Sequence, residues 1–326
     1  MPQIHIADLH KTYRVRRKKA GVRFRRELVL VRALQGIGFD VDAGEIVGFI
    51  GPNGAGKSTT IKILSGILVP DSGHVEILGR VPWLERVAHV AQIGVVFGQR
   101  TQLWWDVPVI DSLELLRDIY SIPQSTYQHI LGQLVDILRI SDLLETPLRQ
   151  LSLGQRMRCE LAASLLHTPQ ILFLDEPTIG LDSTSKLQLR DYIKDRNRRS
   201  NTTVILTTHD MDDIEAVCDR VVVIGNGRLL YDGNLDYLRK RYAPERRMTV
   251  TITGGVPESI SGPQTISGAR LLKAEGNTVE LYFNSDEIPA PALISRINEE
   301  CEVHDLTIEN PDIDEVVSRM YDAEAI

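Results

Sequence analysis

Nine residues constrain the fold of this chain more than any others: "GPNGAGKST", Gly51 to Thr59. They fit the pattern G-x-x-x-x-G-K-[ST]. Just before them, "EIVGFIG" is a continuous apolar run bounded by Gly44 and Gly51, the pattern of a strand buried on both faces. Just after, "KSTTIKILSGI" repeats Ile61, Ile63, Leu64 and Ile67 at helical spacing until the turn "PDSG". A strand, a glycine-rich loop and a helix in that order predict an α/β fold. The residue types specify the chemistry. The loop of Gly51, Asn53, Gly54, Ala55 and Gly56 lets backbone N–H groups approach phosphate, and the helix N-terminus adds partial positive charge there. Lys57 reaches β- and γ-phosphates, Ser58 is placed to ligate Mg²⁺, and Thr59 completes the motif.

The rest of the chain supplies further strands. "QILFLDEP", "TVILTTH" and "RVVVIGNG" are apolar runs separated by helical patterns, which predicts a parallel sheet. "ILFLDEP" ends on Asp175 and Glu176, at the strand end where open parallel sheets bind ligands. Alone, such a pair reads equally as a helix N-terminal acid pair or a solvated turn. Beside the phosphate loop, Asp175 suits the Mg²⁺ shell and Glu176 suits a general base for an attacking water. The segment from about Trp104 to Thr168 is helical in pattern. Near "RKRYAPERR", Arg239 to Arg247, the composition shifts. Beyond it, "MTVTIT" and the paired runs of "ARLLKAEGNTVELYFN" alternate as strands do, with helices near "ALISRINEE" and "DIDEVVSRMYDA". Two domains are therefore expected: residues 1–240, and a small α+β domain over 245–326 that carries no recognisable ligand motif.

Composition excludes some classes. No apolar run approaches the roughly 18 residues of a membrane span. The opening "MPQIHIADLHKTY" lacks a basic stretch followed by an apolar one, so no secretory leader is expected. The three cysteines, Cys159, Cys218 and Cys301, have neither metal nor disulfide spacing. A net charge of −7 argues against a nucleic-acid partner. Against that average, "RVRRKKAGVRFRR", Arg14 to Arg26, holds eight basic residues and no acid. It reads either as a solvated loop or as a patch facing anionic lipid or an acidic partner.

The motifs occur in the order and spacing of an ABC-transporter ATP-binding subunit, which the chain resembles from residue 4 to about 240. Those motifs are the loop at 51–59, "LSLGQ" at 151–155, "LDEP" at 174–177, "GLD" at 180–182 and His209 at a strand end. The resemblance implies a P-loop NTPase of ABC type, with a mixed sheet, a parallel core and a helical subdomain at about 104–168. It implies ATP hydrolysis with Mg²⁺. Tyr13 matches the aromatic that stacks on adenine, although by itself it reads also as a core aromatic. Gln99 matches the glutamine that touches Mg²⁺ and senses the membrane partner, and by itself reads also as a turn residue. Ser152, Gly154 and Gln155 match the signature that completes a partner's ATP site. Asp182 matches the loop linking the two sites of a dimer, and His209 the switch histidine at the γ-phosphate. Leu153 stands where the family carries glycine, which leaves its approach to the nucleotide open.

The resemblance also implies partners: separate transmembrane subunits and a second nucleotide-binding subunit, as a homo- or heterodimer. The place implied is peripheral, at the cytoplasmic face of the membrane, with residues 14–26 toward its anionic surface. The segment after Gln99, the single nucleotide domain and the C-terminal extension look like the subunits of ABC-2-type exporters. There, Trp104 and Trp105 are interface anchors if exposed and core if buried. A soluble ATPase switch of translation or DNA repair is the alternative. It is disfavoured because those relatives carry two nucleotide domains or a long coiled coil, whereas only about 95 residues separate Lys57 from Ser152.

Overall fold

The computed structural model describes residues 2–18, 26–98, 101–254 and 268–323. The chain forms two compact units, residues 1–234 and 235–326.

The first unit is built on two sheets. The larger takes β3 (Ile46–Ile50), β5 (Ile93–Phe97), β6 (Ile171–Asp175), β7 (Thr203–Thr207), β8 (Arg220–Gly225) and β9 (Arg228–Asn234) in the order β5-β6-β7-β3-β8-β9. Its first five strands are parallel, and β9 pairs antiparallel with β8. All five residues of β7, and the first four of β6, are buried, as expected of strands covered on both faces. The smaller sheet is antiparallel, β2-β1-β4, from β1 (Ile4–Lys18), β2 (Arg26–Val41) and β4 (Ser72–Ile77). Helix α1 (Lys57–Leu64) joins both sheets in one core, where Ile61, Ile63 and Leu64 meet Ile4, Leu34, Phe49 and Phe173. In chain order there follow α2 (Arg86–Val90), α3 (Val109–Ile119), α4 (Gln124–Leu138), α5 (Leu153–Leu165), α6 (Ser183–Ser200) and α7 (Met211–Val217).

The loop reading of the basic segment is corrected for Arg14 to Lys18 and Arg26, while residues 19–25 lie outside the described residues. Arg14 to Lys18 continue β1, and Arg26 begins β2, in register from Arg14↔Leu30 to Lys18↔Arg26. The partner run "LVLV" is rich in β-formers, and arginine is tolerated on a solvated two-stranded ribbon. Strands β4 and β5 have weaker sequence signals. In β4 only Val75 and Ile77 are buried, and β5 is five residues long.

The second unit contains an antiparallel sheet in the order β11-β12-β10-β13, from β10 (Glu245–Ile252), β11 (Ala269–Glu275), β12 (Thr278–Asn284) and β13 (Val303–Glu309). Met248, Val250 and Ile252 alternate inward with Val279, Leu281 and Phe283, and Leu293 and Ile297 of α9 (Ala290–Glu300) close that core. Helix α8 (Leu235–Tyr242) packs against α10 (Ile313–Ala323), with Leu238, Val316 and Met320 fully buried. That packing draws α8 into the second unit, so the division falls at 234/235 rather than near 240.

Candidate functional site

A cleft of about 620 Å³ opens at the C-terminal edge of the parallel strands. Its wall includes Pro52, Asn53, Gly54, Gly56, Lys57, Ser58 and Thr59 from the loop, Asp175 and Glu176 from the end of β6, and His209 from beyond β7. Gly51 and Ala55 lie buried beneath the loop. Gly56 carries φ +115° at the cap of α1, and a Cβ there would stand 2.7 Å from the Ala33 carbonyl oxygen. Only glycine fits both demands. The cap has no side-chain acceptor, so the first amides of α1 are left to an external anion.

Lys57 is buried, and its ammonium donates to the carbonyl oxygens of Gly51 and, at 3.2 Å, Pro52. Burial lowers its pKa, and the negative charges of Glu176 and Asp175 oppose that shift. Asp175 accepts a short hydrogen bond from the Thr207 hydroxyl, which fixes one carboxylate oxygen at the strand end. Glu176 sits in the left-handed region at φ +59°, with its backbone N–H donating to the Thr207 carbonyl at 2.9 Å. A non-glycine residue held there is uncommon, and such positions cluster at functional sites. Its Oε1 lies 3.3 Å from His209 Nε2, and its Oε2 accepts from the His209 amide at 3.4 Å. Burial raises the Glu176 pKa, and the neighbouring His209 ring and amide hold part of that rise back. A carboxylate tuned upward is suited to taking a proton near neutral pH.

The donor set fits a hard divalent cation. Ser58 and Asp175 present oxygen ligands to the same cleft. Among the described residues no cluster of three His, Cys, Asp or Glu exists to cage a metal. Mg²⁺ is commonly held this way, by one or two protein oxygens with phosphate and water completing the shell.

The signature lies elsewhere, since residues 152–155 do not line the cleft. Ser152 caps α5 in a reciprocal box: its hydroxyl accepts from the Gln155 amide at 3.3 Å, and its own amide donates to the Gln155 side chain at 2.9 Å. A Cβ on Gly154 would stand 2.3 Å from the Gly180 carbonyl oxygen, so the signature rests directly on the loop before Asp182. Leu153 lies against the same loop. It is half-exposed and leans over Gly180, where an added Cβ would meet its Cγ and Cδ2 at 3.1 Å. Asp182 caps α6 by accepting from the Ser185 amide and hydroxyl, each at 2.8 Å, which lowers its pKa.

Tyr13 is not part of the cleft wall, although its hydroxyl stands 3.5 Å from Thr59 Oγ1. Gln99 lies outside the described residues. Gly98 before it donates to the Asp175 carbonyl at 2.8 Å. Trp104 and Trp105 are 41% and 46% exposed, and the Arg156 guanidinium lies over the Trp105 ring at 4.7 Å.

Sequence reasoning missed Ala33, Lys62, Phe97 and Ile179 in the wall: Ala33 and Phe97 come from strands with no motif of their own, and Lys62 and Ile179 lie beside motif residues without being part of a motif. It also missed a buried network. The Thr178 hydroxyl donates to Asp213 Oδ2 at 2.6 Å, and Arg190 Nε to Asp213 Oδ1 at 2.6 Å. Lys186 donates to Asp210. The network ties Thr178, in the loop after Glu176, and helix α6 to Asp210 and helix α7 beyond His209. Partners 35 positions apart leave no spacing signal.

Residues 34–179 match the family model described as ABC transporter. The chain is 31% identical to the daunorubicin resistance ATP-binding protein DrrA3 of Streptomyces coeruleorubidus, over 87% of this chain and 90% of that protein. It is 32% identical to ABC transporter A family member 1 of Dictyostelium discoideum over 71% of this chain, but spans only 26% of that much longer protein. Among solved structures, an ATP-binding subunit of an ABC transporter superposes with a TM-score of 0.63 at 25% identity, over 74% of this chain and 93% of the other.

Proposed function

This chain belongs to the ABC transporter family, and from that premise we propose that it is the ATP-binding and ATP-hydrolysing subunit of an ABC-2-type exporter. The observation that carries the reading is the convergence of Lys57, Asp175, Glu176 and His209 on one cleft that the signature does not share. The triphosphate lies along the first turn of α1, with Lys57 turning from its carbonyl partners to the β- and γ-phosphates. Ser58 and Asp175, with Gln99, would hold Mg²⁺, which would supply charge neutralisation at the phosphates. Glu176 takes the proton of the attacking water. His209, already beside Glu176, orients that water and holds the γ-phosphate. Tyr13 stacks on the adenine.

Ser152, Gly154 and Gln155 complete the ATP site of a second copy, and Asp182 lies between the two sites. Closure of the pair drives separate membrane subunits, which dock on the segment bearing the half-exposed Trp104 and Trp105. Among the described residues no helix is long and apolar enough to cross a membrane; the place proposed for the chain, through its membrane subunits, is peripheral at the cytoplasmic face. The basic ribbon beyond Arg14 then faces the anionic membrane surface.

The test is Glu176→Gln. We expect ATP binding to persist while turnover falls by roughly 10²–10⁴. Near-normal hydrolysis by that variant overturns the assignment of Glu176.

A further inference from the structure

The β1–β2 ribbon has two faces of different character. In an antiparallel pair, directly opposed residues share a face and successive residues alternate. The register Thr12↔Arg32, Arg14↔Leu30 and Arg16↔Leu28 therefore places Arg14, Arg16, Arg32, Leu28 and Leu30 on one face. All five are exposed, Leu28 and Leu30 by 58% and 61%. The opposite face carries Tyr13, Val15, Val29 and Val31, and Tyr13 is the residue beside Thr59. Between Arg14 and Arg32 the sequence carries a single acid, Glu27. Asp71, which feels the charge of Arg14, is already held by the Lys11 ammonium and the Thr12 amide, at 2.8 and 2.6 Å.

We propose that the face formed by Arg14, Arg16, Leu28, Leu30 and Arg32 is a lipid-binding surface, its arginines on anionic headgroups and its leucines in the interfacial layer. The inference rests on the peripheral location proposed above and assigns that contact to one side of the ribbon. Charge complementarity selects the occupant. A chain of net charge −7 concentrates cations on one strip and alternates them with large exposed apolar side chains. Guanidinium groups fork onto phosphate oxygens, and leucine gains by leaving water. A purely electrostatic partner site would not need the leucines, and a purely apolar docking face would not tolerate the arginines. Because Tyr13 points to the other side, binding lipid and binding nucleotide are separable.

The experiment is co-sedimentation of the full chain with vesicles, with ATPase activity measured in parallel without vesicles. We expect binding to phosphatidylcholine vesicles that contain phosphatidylglycerol, little binding to phosphatidylcholine alone, and loss of binding as salt screens the headgroups. Each arginine removed weakens binding about fivefold, so the triple variant Arg14→Ala, Arg16→Ala, Arg32→Ala loses on the order of a hundredfold while vesicle-free ATPase is unchanged. Leu28→Ser with Leu30→Ser weakens binding while leaving its salt dependence in place. Equal binding to neutral and anionic vesicles, no binding at low salt, or a triple variant that binds like the parent overturns the lipid face. A parent chain without ATPase activity instead overturns the proposed function, so the two failures are distinguishable.

Discussion

Two helix N-termini in the first unit are candidates to meet phosphate, and they are finished differently. At α1 the cap residue is Gly56, which offers no side-chain acceptor, and the loop folds back tightly enough to exclude a Cβ. At α5 the cap is Ser152, and its reciprocal box with Gln155 already satisfies two backbone amides. An uncapped helix end, with Lys57 beside it, has donors ready for an anion at first encounter. A capped end binds phosphate only by exchanging hydrogen bonds that it already makes, so its net gain is small. The first therefore suits nucleotide held through the cycle, and the second suits a contact made and broken each time two copies close.

The largest expected effect falls on the first end. Lys57→Ala lowers turnover by about 10²–10³ and weakens nucleotide binding as well, which isothermal titration together with steady-state kinetics would separate. The counterpart on the second end is Gly154→Ala. Its methyl collides with the Gly180 carbonyl oxygen, so either the signature or the loop before Asp182 must move. Displacement of that kind lowers turnover by roughly 10²-fold while a single copy binds nucleotide as before. Equal loss of binding in both variants would erase the distinction between the two ends.

The pH profile sharpens the same contrast. Burial raises the Glu176 pKa, and only the ionised carboxylate acts as a base. Activity is therefore lost as pH falls through a value above the ordinary glutamate range. The acid limb of kcat/KM should lie there in the parent and stay there in Gly154→Ala, because the signature does not touch Glu176. A shifted limb in that variant would show that the two regions are coupled before closure. The smallest effect is expected at Leu153→Gly. The side chain is half-exposed and lies beside Gly180, so turnover should change by less than about threefold.

How much of this was legible in the sequence follows the same division. The phosphate loop, "LDEP" and His209 are contiguous motifs at strand ends, and the cleft brings them together. Part of its remaining wall was not legible, because Ala33 and Phe97 enter it from strands far in sequence from those motifs. Tyr13 matched a motif position yet sits at the margin of the cleft, since it lies on a ribbon whose β1–β2 register sets its side. The neighbour of Leu153 was not legible in the sequence. Its partner Gly180 is 27 positions away, and only the fold places the signature on that loop. The basic stretch was read as loop or patch. The strand partner that makes it a two-faced ribbon begins at Arg26, where a charge-rich segment hides the β pattern.

Each ATP site is proposed to take its P-loop from one copy and its signature from another. That arrangement is tested most directly by measuring the mass of Glu176→Gln in solution by light scattering, with and without ATP. The account predicts one copy without nucleotide, two copies with ATP, and a single copy with ATP bound when Gly154→Asp is added to the same chain. A mass that ATP leaves unchanged, or a pair that forms equally well with Gly154→Asp, would contradict it.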